Sequence, residues 1–180
     1  INNALPVIVC PEAARALEYI HGQNIIHRDI KPENIHLDLN GRVRLMDFGI
    51  AKRPDLSLTR PGFALGTPYY MAPEQVRGED VSHLADIYSF GVLLFELCGG
   101  GKPFQEADIN RLFYRILNDP PDLTPLRESG APDNVCDLVE RCMAKLPRDR
   151  PQSFGEVCEQ LAGTGAAPAL FRDHISVPTI

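Results

Sequence analysis

The chain has 180 residues, 44% hydrophobic and 23% charged, with 14 Gly and 16 Pro, a composition typical of one soluble domain able to bury roughly 70% of its unfolded surface. Its 18 basic and 24 acidic side chains leave a net charge of −6, which argues against a broad nucleic-acid face or an anionic-membrane surface. The five cysteines (Cys10, Cys98, Cys136, Cys142 and Cys158) form no C-x-x-C pair, so they give neither a disulfide framework nor a zinc signature and suit a reducing compartment.

The first residue is Ile1, and no basic region leads into an apolar run, so a secretory signal is not expected and the chain reads as cut from something longer. Residues 11–21 read as an amphipathic helix, because Ala13, Ala16, Leu17 and Ile20 recur at three- and four-residue steps. Pro11 is tolerable in a first turn; a helix running from Pro6, with Pro11 as a kink, is the open alternative. Next, Ile35–Leu39 and Arg42–Met46 alternate around Asn40-Gly41, a strong hairpin signal because both central turn positions need positive φ.

Residues 86–98 are almost entirely apolar and close with Gly99-Gly100-Gly101. The run is too short to cross a bilayer and carries Asp86 and Glu96, so it reads as a helix buried on all sides. Residues 108–118 and 134–145 are further helical stretches, the second with Val135, Leu138, Val139 and Cys142 on one face. Ser153-Phe154-Gly155-Glu156 has the form of a capping box opening a last helix with Val157 and Leu161. From Gly163 onward composition turns to Gly, Ala and Pro, which reads as linker or tail (163–180) after a domain spanning 1–162. The expected fold class is mainly α, with one small β-hairpin.

The chemistry clusters at the hairpin. His27-Arg28-Asp29-Ile30-Lys31-Pro32-Glu33-Asn34 precedes it and Asp47-Phe48-Gly49 follows. A two-residue loop at 40–41 makes opposed positions sum to 81, so Asn34 would face Asp47 with Cα atoms about 5 Å apart. A carboxylate beside an amide oxygen suits a hard ion such as Mg²⁺. Asp29 can face the same point, with Lys31 beside it. A proton-accepting Asp, a Lys and two Mg²⁺ ligands around one point are what phosphoryl transfer requires.

These residues resemble the catalytic and magnesium-binding loops of the eukaryotic-like protein kinase family, H-R-D-x-K-x-x-N followed by D-F-G. Gly66-Thr67-Pro68-Tyr69-Tyr70-Met71-Ala72-Pro73-Glu74 resembles the end of its activation segment, and Asp86-Ile87-Tyr88-Ser89-Phe90-Gly91 the start of its buried central helix. Lys102-Pro103-Phe104 and Arg148-Asp149-Arg150-Pro151 follow in the family's order. The match covers roughly residues 5–161. Its short, insertion-free course resembles bacterial members.

The resemblance implies the kinase large lobe, and roles residue by residue. Asp29 would be the catalytic base, Lys31 would contact the transferring phosphate, and Asn34 and Asp47 would bind Mg²⁺ and with it ATP. Gly49 would let the loop turn. Arg28 would receive a phosphate on the activation segment 47–74, where Ser57, Thr59 and Thr67 are available; Thr59 is the expected phosphosite and Thr67 a contact to the catalytic loop. Asp86 would anchor the catalytic loop, and Glu74 would pair with Arg150. Lys31 and Thr67 fit the serine/threonine class. His36 stands where the family usually carries a Leu beneath adenine, a mild departure; by itself it reads as a strand residue.

Other features have plainer readings. Gly99-Gly100-Gly101-Lys102 lacks the earlier Gly and the following Ser or Thr of a phosphate loop, so a helix end is expected. His21, His83 and His174 have no companion at ligand spacing, and the cysteines read as small buried hydrophobes. No G-x-G-x-x-G and no V-A-I-K-like strand occurs, so the small lobe is expected upstream. The expected partners are ATP and a protein substrate with Ser or Thr, without nucleic acid or a membrane segment in this chain. The expected location is cytoplasmic, with a parent that membrane tethering would also suit. The competing reading is a truncated kinase kept as a protein-binding module.

Overall fold

The computed structural model describes residues 4–38, 42–47 and 68–162. Seven α-helices and one two-stranded sheet stand among them, so the fold is mainly α, as the periodicities predict.

The first helix, α1 (Ala4–Gly22), runs straight through Pro11 and so is longer than 11–21. It buries Cys10, Ala13, Ala14, Leu17 and Ile20 along one side, the spacing that 3.6 residues per turn gives. The chain then reverses at Asn24, which takes φ 60°, a conformation Asn tolerates better than most residues.

The strands β1 (Ile35–Leu37) and β2 (Val43–Leu45) pair antiparallel as Ile35 with Leu45, His36 with Arg44 and Leu37 with Val43. Opposed positions therefore sum to 80, not 81. Three residues, 39–41, separate the closing pair, where Asp38 N–H donates to Arg42 O at 2.9 Å. Three-residue hairpin loops, the next most common class, also place a residue in the left-handed conformation, so an Asn-Gly dipeptide alone does not fix the loop length or the register. Consequently Asn34 lies opposite Met46, whose N–H donates to Asn34 O at 2.9 Å, and not opposite Asp47.

After the short α2 (Pro73–Arg77) comes the central helix α3 (Leu84–Gly99), with every residue from Ala85 to Phe95 buried. Around it pack α1, the Pro68–Tyr70 turn, α5 (Thr124–Glu128) and α6 (Asp133–Cys142). Gly91 permits the close approach of α6: a Cβ there would lie 2.6 Å from Cys142 Cβ and 3.1 Å from Met143 Cγ. The helix ends at Gly100, φ 78°, whose N–H donates to Glu96 O at 3.0 Å. The triple glycine is thus a helix stop.

Between these, α4 (Ile109–Asn118) is capped by Asp108, whose Oδ1 accepts Arg111 N–H at 2.9 Å. α6 stops at Cys142, three residues before the expected end, because residues 144–145 turn to supply carbonyls to Arg150. The last helix, α7 (Phe154–Ala162), begins with Ser153 Oγ accepting Glu156 N–H at 3.2 Å, and it packs on α1 and α6. Cys10, Cys136 and Cys142 are buried and all five cysteines are free thiols. Burial pushes the Cys98 and Cys158 thiols up to about 11 and Cys142 to about 12, so none is a ready nucleophile. Among the described residues no helix is long and apolar enough to cross a membrane. The proposed tail, 163–180, lies outside the described residues.

Candidate catalytic loop and its supports

Residues 27–34 link α1 to β1 and lie against the first turn of α3. Asp86, 1% exposed, holds this link through its carboxylate. Its Oδ2 accepts His27 N–H at 2.7 Å and His21 Nε2–H at 2.8 Å, and its Oδ1 accepts Arg28 N–H at 2.8 Å. Those bonds hold Arg28 at φ 66°, a left-handed conformation that a long side chain rarely adopts unaided.

His27 is also fixed from both ring nitrogens. Nε2–H donates to Met46 O at 3.1 Å, and Nδ1 accepts Asp29 N–H at 3.4 Å. Burial lowers its pKa against the opposing pull of Asp86, of the Met46 carbonyl and of Asp29. A neutral ring that donates on one side and accepts on the other is what this geometry needs.

The loop then closes on itself. Pro32 opens a single 3-10 turn, Pro32–Asn34, its fixed φ suiting the first position. That turn carries the buried Asn34 amide back to Asp29: Asn34 Nδ2 donates to Asp29 O at 2.7 Å and to Asp29 Oδ2 at 3.1 Å. Lys31 Nζ donates to the same Oδ2 at 2.9 Å. Asp29, Lys31 and Asn34 are therefore one hydrogen-bonded group, with the Asp29 carboxylate at its centre. With the Asn34 nitrogen committed to Asp29, its Oδ1 is the end of the amide that a cation can use.

Asp47 stands exposed at φ 50°, one residue past the position opposite Asn34. The Asn34 amide oxygen and the exposed Asp47 carboxylate are the hard oxygen donors this end of the hairpin offers, of the type suited to a Mg²⁺ ion, which keeps several waters and takes few protein ligands. Among the described residues no group of three or more His, Cys, Asp or Glu side chains forms a closed cage. His36, exposed on β1, donates Nε2–H to Glu33 O at 3.0 Å. Gly49, Thr59 and Thr67 lie outside the described residues.

The chain from Pro68 onward is tied to this loop and to the core. Gln75 Oε1 accepts Ala72 N–H at 2.9 Å, and its Nε2 donates to Arg28 O at 3.4 Å. Ser89 Oγ donates to Tyr70 O at 2.7 Å. Glu74 and Arg150, both buried, form two parallel bonds of 2.7 and 2.8 Å. Arg150 also donates to Ala144 O, Leu84 O and Lys145 O, and its guanidinium stacks 5.1 Å from the Tyr88 ring centroid. Sequence reasoning found neither His21 nor Gln75 as supports; each acts on a residue far along the chain, and spacing carries no signal of that.

A protein-family model, that of the protein kinase domain, matches residues 8–161. The serine/threonine-protein kinase PknA of Mycobacterium tuberculosis is 37% identical over 157 residues, covering 86% of this chain and 36% of that protein. The serine/threonine-protein kinase pkn3 of Myxococcus xanthus is 37% identical over 164 residues, 85% of this chain and 30% of its own length. The DNA damage-responsive serine/threonine-protein kinase RqkA of Deinococcus radiodurans is 40% identical over 147 residues, 78% of this chain and 21% of its own. The chain thus spans about a third or less of the relatives it matches. It belongs to the protein kinase family, of the eukaryotic-like serine/threonine type that these bacterial proteins carry.

Proposed function

We propose that the protein carrying this chain transfers the γ-phosphate of MgATP to serine or threonine hydroxyls of a protein substrate. The Asp29 carboxylate, bonded to Lys31 at 2.9 Å and to Asn34 at 3.1 Å, is the observation that supports this most directly. Asp29 accepts the hydroxyl proton, as a base in hydrogen-bond reach of its substrate must. Lys31 keeps that carboxylate oriented in the absence of nucleotide and turns to the transferring phosphate when nucleotide is present. Asn34 Oδ1 and the Asp47 carboxylate hold Mg²⁺, which neutralises charge on the phosphates when bound. His36 borders the adenine side. Arg28, half-buried beside Asp29, takes a phosphate carried by the 47–74 segment, with Thr59 as the acceptor. The five free thiols and the need for ATP support a cytoplasmic location.

The test is Asp29→Asn and Asp47→Asn in the full-length protein. Each is expected to lower phosphate transfer about 10²–10⁴-fold, the range for a lost general base or metal contact, with the circular dichroism spectrum unchanged. Near-native turnover in either variant refutes the assignment. The persistence of the whole Asp29–Lys31–Asn34 group favours catalysis over a purely protein-binding role.

A further inference from the structure

The His21 imidazole, in the last turn of α1, has one nitrogen to spare. Its Nε2–H is spent on Asp86 Oδ2 at 2.8 Å. A carboxylate only accepts, so the proton stays on Nε2 and the lone pair on Nδ1. That Nδ1 is buried without a hydrogen-bond partner, in a side chain 10% exposed.

Spacing in the sequence gives His21 and His83 no companion, but the fold makes each the neighbour of the other. His83 stands just before α3, and its ring centroid lies 5.6 Å from that of His21 with the two planes at 80°. Its Nε2–H donates to Gln152 O at 3.0 Å. A carbonyl also only accepts, so His83 too carries its lone pair on Nδ1. Among the described residues neither Nδ1 meets a donor. Phe154 closes the far side of His21, with ring centroids 5.1 Å apart.

Both rings are held as metal-binding imidazoles are held. A ligating histidine donates its second N–H to a carboxylate or a main-chain carbonyl, which fixes the tautomer and raises the basicity of the free nitrogen. Asp86 does this for His21, and Gln152 O does it for His83. With metal–nitrogen bonds of about 2.0–2.1 Å, two imidazoles on one tetrahedral ion have ring centres roughly 5–6 Å apart. The pair already stands at that separation.

We propose that His21 and His83 bind one divalent transition-metal ion of the zinc type through their Nδ1 atoms. Imidazole nitrogens select such an ion over Mg²⁺, which prefers oxygen. No third His, Cys, Asp or Glu side chain completes a cage among the described residues, so water takes the remaining positions and the site is open. His83 is partly exposed and gives the ion its way in. The bound ion ties the end of α1 to the entry of α3 and, through Asp86, to the backbone N–H groups of His27 and Arg28. This site uses neither Asn34 nor Asp47 and does not depend on the kinase reading.

The experiment titrates the full-length protein, stripped of metal by a chelator, with Zn²⁺ in excess Mg²⁺. Calorimetry is run on wild type, His83→Gln and His21→Gln, with a thermal melt of each. Wild type should show one class of zinc site that His83→Gln weakens at least about tenfold, since loss of an outer-shell partner alone costs 10–100-fold. His21→Gln should weaken the same class. Zinc should raise Tm of wild type more than that of His83→Gln. Should His21→Gln fail to fold, His83→Gln decides alone, because its side chain is partly exposed. Absence of any zinc class that His83→Gln weakens overturns the proposal.

Discussion

Replacing Asp86 by Ala removes the acceptor for the buried His27 N–H, for the partly buried Arg28 N–H and for His21. Each backbone donor left without a partner costs about 1–3 kcal/mol, so the two together cost about 2–6 kcal/mol. His21 adds to this, because its Nδ1 is already buried without a partner and a change of tautomer only moves the orphan from one nitrogen to the other. For a domain of this size a loss of about 4 kcal/mol lowers Tm by roughly 8–16 °C. The local effect is the sharper test. Arg28 holds φ 66° only while its N–H is bonded, and the strain of about 1–3 kcal/mol at such a residue is relieved once the bond is gone. Asp29, the next residue, then loses its position. Amide exchange at His27 and Arg28 in the full-length protein should therefore accelerate at least about 30-fold, as a 2 kcal/mol loss implies, and kcat should fall by about 10² or more as the base is misplaced. Asp86→Asn, which retains Oδ1 for Arg28, should lie between the two. Unchanged exchange at both amides together with unchanged kcat in Asp86→Ala would refute the reasoning.

Gly91→Ala should destabilise by about 1–3 kcal/mol through overpacking, since its Cβ would meet Cys142 Cβ at 2.6 Å; a thermal melt within 1 °C of wild type would contradict the packing, taking roughly 2–4 °C per kcal/mol. Lys145 donates Nζ to Ile116 O at 2.8 Å and to Arg115 O, over the Phe104 ring, and burial lowers its pKa from 10.5 to about 8. The folded state thus binds fewer protons than the unfolded one between pH 8 and 10.5, so stability should rise with pH across that window and decline as pH falls through about 8. Lys145→Met should flatten this rise in urea titrations taken at several pH values, and an equal slope in wild type and variant would exclude Lys145 as its source.

The long elements were legible because their burial is periodic or complete. Leu17 and Ile20 mark α1, the unbroken apolar run marks α3, and Asp108 and Ser153 mark two helix starts by their side-chain oxygens. The short helices were not. In α5 only Leu126 is buried over five residues, and α2 spans little more than one turn, so neither shows a period. Pro11 hid the first two turns of α1, since a single sequence does not reveal whether tertiary packing holds a helix through a proline. At the site, the spacing from Asp29 to Asn34 was readable because one tight turn brings them together. The Tyr70–Glu96 bond was not: only the packing of α3 against the Pro68–Tyr70 turn brings those two residues together.

The buried Glu74–Arg150 pair has a consequence for how the chain is made. Its partners are 76 residues apart, so on a ribosome adding about 5–20 residues per second Glu74 waits roughly 4–15 s for its guanidinium. Until then α2 cannot bury that carboxylate without a large desolvation penalty, and Tyr88 lacks the cation that stacks on it. α1 waits longer still, because its partner α7 begins only at Phe154. The half that carries the candidate catalytic loop is therefore synthesised first and secured last. During that interval its apolar faces are open to chaperones and proteases, and release of a chain ended before Arg150 would leave them so permanently.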